Sequence, residues 1–180
     1  MAFVKIERGV YFLREDYAPF WKRVLIDLLD LLVFGIIFAL FALPVMILSD
    51  DITRPVFNMV TAMFATTLVL YFVILKRSQF RTAGYRLFGV RIVGLDGNPP
   101  SYWALIVRLT FGFFGPLNWL LDLVWLSNDP HRQALRDKFA DTYVVKAGAA
   151  PAGAGPIATK QYMILMFNLS FREVRTGSGS

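Results

Sequence analysis

The sequence predicts an all-α polytopic membrane protein with two full transmembrane helices, a broken third apolar element and a small cytoplasmic β element. Three observations carry the prediction. Of 180 residues, 56% are hydrophobic and only 18% charged, and the mean hydropathy is +0.52; soluble domains run nearer a quarter charged. Three windows, Val24–Leu48, Val56–Leu75 and Ser101–Leu126, hold four of the 32 charged residues, namely Asp27, Asp30, Arg108 and Asp122. Each window matches the roughly 20 apolar residues that a helix needs to cross a bilayer. A globular helical protein spreads its charges along helix faces instead.

Residues 1–23 read as an interfacial lead-in on the cytoplasmic side. They end in Tyr17-Ala18-Pro19-Phe20-Trp21-Lys22-Arg23, and aromatic and basic residues before an apolar block act as an interfacial anchor. The membrane domain follows over 24–146. Its first helix is expected at about 24–48, with Pro44 close enough to the end to kink or stop it. The connector Ser49–Pro55 is short, so a second helix at about 56–75 returns antiparallel. Gly35 and Ala39, four apart, permit a close helix contact. The first apolar stretch is too long for a signal-peptide core, so no cleaved signal is expected.

Lys76–Pro100 carries five basic residues and one Asp and is not a span. Within it Arg86–Val93 reads as a short strand entering a turn at Leu95-Asp96-Gly97-Asn98-Pro99. Gly84 and Gly89 are not followed by Gly-Lys-Ser/Thr, so they do not make a phosphate loop. The third window, 101–126, is interrupted by Gly112-Phe113-Phe114-Gly115-Pro116. Its halves are each too short to span, and together they suit a re-entrant or interfacial hairpin; the alternative is one kinked span. The positive-inside rule favours the hairpin. Residues 1–23 and 76–100 hold five basic residues each, and the chain after 126 holds seven, so all three regions belong in the cytoplasm.

Asp129–Asp141 is charged and helical in character, followed by a strand candidate at Thr142–Val145. Residues 147–156 are all Ala, Gly or Pro, which reads as a flexible linker extending over 147–160. The tail 161–180 contains a short apolar segment, Tyr162–Phe171. That segment is expected to lie on the membrane, pair as a strand or dock onto a partner. An unstructured Thr-Gly-Ser-Gly-Ser end follows it.

Composition closes off several classes of function. There is no Cys and one His, which excludes thiolate sites and histidine clusters. No metal site, cofactor or enzyme activity is expected, since no nucleophile–base–acid trio or Gly-rich phosphate loop is present. His131 lies among surface-type residues and is expected solvated or interfacial, and Asp50-Asp51 is expected to form a solvated turn. The net charge of +6 flanks the apolar blocks, so anionic lipid headgroups rather than nucleic acid are its natural partner.

The candidate site residues are the charges inside apolar blocks, each of which costs roughly 2.5–3.5 kcal/mol at a helix centre. Arg23, Asp27 and Asp30 share one helix face, with Arg23 and Asp30 about 10.5 Å apart along the axis. Two carboxylates within one turn in a low-dielectric region suit a proton or Na⁺ site. They suit equally a structural ion-pair knot with Arg23 or Arg108 as counter-charge.

Three stretches together resemble the RDD membrane-protein family. These are Phe20-Trp21-Lys22-Arg23 with Asp30 seven residues on, Thr82–Val93, and Asp129-Pro130-His131-Arg132-Gln133-Ala134-Leu135-Arg136-Asp137-Lys138. They occur in order within residues 18–146. The arginine and two aspartates that name the family correspond to Arg23, Asp30 and Asp137. Asp27 lies outside the pattern. Ala83 stands where the family usually has proline, Tyr85 where it has lysine, and Arg136 where His is common. The resemblance implies a bacterial inner-membrane protein of suspected transport function, some relatives being linked to Na⁺/H⁺ exchange. Two classes follow: ion-coupled or small-solute transport using Asp27, Asp30 and Arg23, or an accessory subunit of a larger membrane complex. Both imply a homo-oligomer or other membrane subunits. Asp137, Arg86, Arg91, Arg108 and Asp122 are expected to form a structural charge network, with Asp137 paired to Arg23, Arg86 or Arg91.

Overall fold

The computed structural model describes residues 7–49, 53–129, 131–164 and 167–175. The Asp50-Asp51 turn and the Thr176–Ser180 end lie outside them. The chain divides into two compact units, Trp21–Phe88 and Met1–Phe20 with Gly89–Ser180.

The first unit is built on two helices, α1 (Phe20–Ile47) and α2 (Arg54–Val69, continued by a π-helical turn at Leu70–Leu75). At 28 and 22 residues, both are long and apolar enough to cross a membrane. Pro44 sits in the last turn of α1, so the hydrogen bond it removes and the clash it makes fall within a turn of the helix end. Aromatic rings join the helices: Phe34 lies 5.5 Å from both Phe64 and Phe72, and Phe38 lies 5.3 Å from Phe64. Gly35 is exposed, and among the described residues nothing lies within 4 Å of where its Cβ would stand, so it does not set the α1–α2 spacing. Bulky rings one residue away set the spacing instead. The short helix α3 (Ala83–Leu87) completes the unit.

The second unit contains two small sheets, so the chain is not purely all-α. β2 (Val90–Gly94) pairs antiparallel with β3 (Thr142–Lys146), and β1 (Arg8–Tyr11), β4 (Gly153–Ile164) and β5 (Phe167–Val174) form a sheet of order β1-β4-β5. The linker expected over 147–160 is corrected: Gly153–Pro156 pairs with Arg8–Tyr11, and Ile157–Ile164 pairs with Phe167–Val174. Its small residues lack an alternating pattern, and half of its partner lies at the far end of the chain. Arg86–Val93 also differs from expectation. Its first half is helical in α3 and the strand starts at Val90.

Phe12, Tyr17, Val93, Leu95, Tyr143, Val145 and Val174 form the core of this unit. Between the sheets' sequences comes the broken apolar element. α4 (Tyr102–Thr110) runs through a 3₁₀ turn (Phe111–Phe114) into α5 (Pro116–Asn128), bent by 115°. Gly115 makes the bend, with φ of 54° and ψ of −134°, a conformation that side chains with a Cβ rarely adopt. Pro116 then starts α5 at the position proline favours. The charged helix α6 (Leu135–Phe139) packs against both arms.

Candidate functional site

The buried stripe of α1 reads Arg23, Ile26, Asp30, Phe34, the spacing of one helix face. Arg23 is 3% and Asp30 0% exposed, and Asp27 is half-buried. The Asp30 carboxylate accepts from the Thr82 hydroxyl at 2.6 Å, the Gly84 amide at 2.7 Å and the Tyr71 hydroxyl at 3.2 Å. Tyr71 in turn accepts from the Ala83 amide at 3.3 Å.

Each of these donors has a local cause. Tyr71 lies in the π-helical turn, where the wider spacing shifts the side-chain direction; such turns are frequent at functional sites. Thr82 precedes α3 in extended conformation, and the Gly84 amide is one of the first-turn N–H groups that a helix leaves unbonded. Asp30 therefore caps α3 from a different helix. Gly84 permits the approach, because a Cβ there would lie 2.7 Å from the Ile26 carbonyl oxygen and 2.9 Å from Asp30 Oδ1.

Asp30 lies 17 residues before the end of α1 at Ile47, and Tyr71 the same number after the start of α2 at Arg54. At 1.5 Å per residue the two meet about 26 Å from the interhelical turn.

A second constellation surrounds α6 in the other unit. Arg108 of α4 pairs with Asp137, both nearly fully buried, and donates to Thr142 Oγ1 at 2.8 Å. Asp122 of α5 pairs with Arg136 at 3.1 Å. Adjacent residues of α6 thus grip one arm each. Asp137 also caps its own helix by accepting the Ala134 amide at 3.0 Å. Lys138, 1% exposed, pairs with Asp129 and with Glu173 of β5. Tyr162 donates to Glu173 as well. Burial works to raise the Glu173 pKa, but the hydrogen bonds from Lys138 and Tyr162 and the charges of Lys138 and Lys160 outweigh it and hold the group below its ordinary value.

The structure gives Asp137 to Arg108, where the sequence reading favoured Arg23, Arg86 or Arg91. Arg108 is itself a charge inside an apolar window and needs an acid partner, yet 29 residues of separation leave no periodic signal. Arg86 is exposed, and Arg91 donates to the Ala149 carbonyl at 2.9 Å. His131 is also corrected. It is 7% exposed and packs against Tyr17 and Tyr143 at 5.8 and 5.9 Å. Asp129 folds the polar turn inward by accepting the amides of His131 and Gln133, which is why a surface-type sequence is buried. Sequence reasoning missed Lys138 and Glu173, because Glu173 lies beyond the linker and carries no motif.

Two helices of spanning length and a bent apolar pair mark an integral membrane protein. Residues 17–141 match the RDD family, and the chain belongs to it. Neither the curated proteins nor the solved structures compared with the chain gave a match.

Proposed function

We propose that this chain moves a cation or small solute as one subunit of a membrane assembly, with Asp30 as the group that takes up and releases a proton or cation. The observation that carries the proposal is the set of donors to Asp30. All three are neutral. They orient the carboxylate without neutralising it, which leaves a proton or cation as a balancing charge. Arg23 and Asp27 on the same face tune its affinity. Near the membrane edge the group exchanges with water on the side of the 76–88 loop. The protein is non-enzymatic in this reading, and it uses no cofactor and no nucleic acid.

The accompanying topology has two crossings with both termini cytoplasmic, in a bacterial inner membrane. Pairing of β1 with β4 supports it, since residues 8–11 and 153–156 must then share one side of the bilayer. In this reading the number of crossings is even, and the bent pair lies in one leaflet. Its residue pattern agrees. Asn118, Asp122 and Leu126 are buried on one face of α5, while Leu117, Leu120 and Val124 are exposed. Two crossings enclose little interior, so a homo-oligomer or further membrane subunits complete the path.

The test is flux in proteoliposomes carrying an internal pH-sensitive dye, with Na⁺, Li⁺ or K⁺ pulses outside. Expected is a cation-dependent dye signal that is lost in folded Asp30→Asn protein. Signal that is absent, or unchanged by the substitution, overturns the carrier role.

The second reading is an accessory subunit. Its support is the close seating of Gly84 on Asp30, which suits a permanent fastening of the 82–87 turn to α1. Stoichiometric co-purification with other membrane subunits and no flux from the isolated chain favour it.

A further inference from the structure

The connector from α2 into α3 is the most basic stretch of the first unit. Lys76, Arg77, Arg81 and Arg86 fall within residues 76–88, without an acid among them. Antiparallel pairing of α1 and α2 brings Lys22 and Arg23 to the same end, since Asp30 of α1 meets Tyr71 of α2. Six cations thus share that end with two carboxylates, Asp27 and Asp30. Asp30 is buried and held by neutral donors. The surface there is strongly positive.

Among the described residues, the two lysines are answered by rings rather than carboxylates. The Lys76 ammonium lies 4.7 Å from the Tyr85 ring centre and 5.6 Å from that of Phe72, and the Lys22 ammonium lies 5.8 Å from that of Trp21. A ring face orients an ammonium and leaves its full charge in place. Arg86 is exposed on α3. Trp21, Phe80 and Leu87 are exposed as well, and aromatic and apolar groups interleaved with cations at the end of a span suit the headgroup layer. Arg81 is left-handed, with φ of 57°, and across it the chain passes from exposed Phe80 to fully buried Thr82. Thr82 and Gly84, which hold Asp30, lie between Arg81 and Arg86.

We propose that this connector is a binding site for an anionic phospholipid. Lys22, Lys76 and Arg86 attract the headgroup phosphate, and the acyl chains lie along Trp21, Phe80 and Leu87. The chemistry selects the class. A zwitterionic headgroup brings its own ammonium and gains little from the cations, whereas each of them attracts a headgroup of net negative charge. A soluble phosphate has no acyl chain to cover the exposed apolar groups. The general attraction of basic flanks to lipid is thereby narrowed to one connector, on the turn that fastens the buried carboxylate. The site does not depend on Asp30 carrying an ion.

The full chain, purified in a neutral detergent, is titrated with dioleoyl phosphatidylglycerol or dioleoyl phosphatidylcholine, and retained lipid is counted by native mass spectrometry. The parent is expected to retain phosphatidylglycerol in preference. Arg86→Gln should bind it about fivefold more weakly, the effect of one cation near an anionic surface. Lys76→Met, which keeps a polarizable side chain against Tyr85, should lose a similar factor. Arg86 is exposed, so its exchange leaves packing intact and decides the matter even where Lys76→Met fails to fold. Arg54→Gln removes an exposed charge from the opposite end of the helix pair and should bind like the parent. Unchanged binding in Arg86→Gln overturns the site. So does an equal loss in Arg54→Gln, which would leave net charge alone as the cause, and so does retention of phosphatidylcholine on equal terms. Glycerol phosphate in excess should not displace the lipid; displacement would assign the site to a soluble phosphate instead.

Discussion

Arg108 on α4 and Asp137 on α6 form a buried ion pair, and the neighbouring Arg136 takes Asp122 of α5. The two charges that the third apolar window carries are thus both answered by one short helix. The bent pair thus carries an arginine and an aspartate that are both buried.

Removing one partner leaves the other buried and unpaired, which costs roughly 3–5 kcal/mol. Asp137→Ala should therefore lower the melting temperature sharply and reduce folded yield. It also strips the cap from the Ala134 amide, so the loss exceeds that of Arg108→Met. The double variant Arg108→Met with Asp137→Asn keeps an acceptor for Ala134 and removes both charges. It should regain most of the stability. If Asp137→Ala melts like the parent yet abolishes flux, Asp137 belongs to the transport pathway.

Asp122→Ala should act on one arm only. Arg136 is slightly less enclosed than Arg108, and its head can reach water once released. Amide exchange should accelerate across Pro116–Asn128 and stay unchanged in Tyr102–Thr110. Equal acceleration in both arms would contradict independent clamping.

Gly84→Ala tests the joint at Asp30. The added Cβ meets the Ile26 backbone oxygen at 2.7 Å, and backbone cannot swing aside as a side chain can. The α3 turn must separate from α1 and give up the capping bond to Asp30. Expected is a loss of about 2 kcal/mol or more, consistent with a broken buried charge-assisted bond. Ala83→Ser, one residue away, should be nearly neutral. A denaturant midpoint for each variant checks the contrast.

How much of this was legible in the sequence divides along physical lines. The apolar windows located α1, α2 and the bent pair to within a few residues, because bilayer thickness sets their length. Gly115-Pro116 announced the bend through backbone chemistry alone. Arg23 and Asp30 came from their shared helix face and, with Asp137, from the resemblance, and all three are buried. Burial of Asp30 also followed from its helix face. What stayed hidden was long-range pairing: β1 with β4, Arg108 with Asp137, and Lys138 with Glu173. None has a period or a spacing, since each partner is chosen by the fold. Ala-Gly-Pro composition actively misled, because small residues serve a linker and a closely paired strand equally well.

Acid should destabilise the second unit in two stages. His131 is held below its ordinary value of 6.5, chiefly by burial. Around it lie Asp129, Lys138, Glu173 and Lys160, with Tyr17 and Tyr143 against its ring. The unfolded chain binds the proton more readily than the folded one, so stability is present above pH 6.5 and lost as pH falls toward the folded value. Glu173 is also depressed, from 4.5. Its contribution is present above pH 4.5 and lost as pH falls through its folded value. Melting temperature should therefore drop first below pH 6.5 and again below 4.5. His131→Phe keeps the aromatic packing and should remove the first drop alone. A first drop that survives the substitution assigns it to another group.

The last prediction concerns the hairpin beyond the family match, which ends at residue 141. Lys138 is fully enclosed between Asp129 and Glu173, and its ammonium also lies 5.5 Å from the Tyr162 ring centre. Glu173 and Tyr162 both come from the hairpin, so the family's closing motif is completed by a segment outside it. Truncation after Ala152 removes one of the two acids and the aromatic cover of Lys138. It also strips β4 from β1 and removes Val174 from the core. The truncated chain should lose most of its cooperative melting in the second unit. Glu173→Gln isolates the charge term, because Gln still accepts from Lys138 while Asp129 remains as the single counter-ion. A loss of roughly 1.5–3 kcal/mol is expected, the range for hydrogen bonds to charged groups. Lys138→Met in the Glu173→Gln background should then cost less than Lys138→Met alone, because one acid rather than two is left unpaired. A double-mutant cycle on melting free energies measures that coupling. Strict additivity would mean that the hairpin and the motif are held together by packing, with the ion pair contributing nothing.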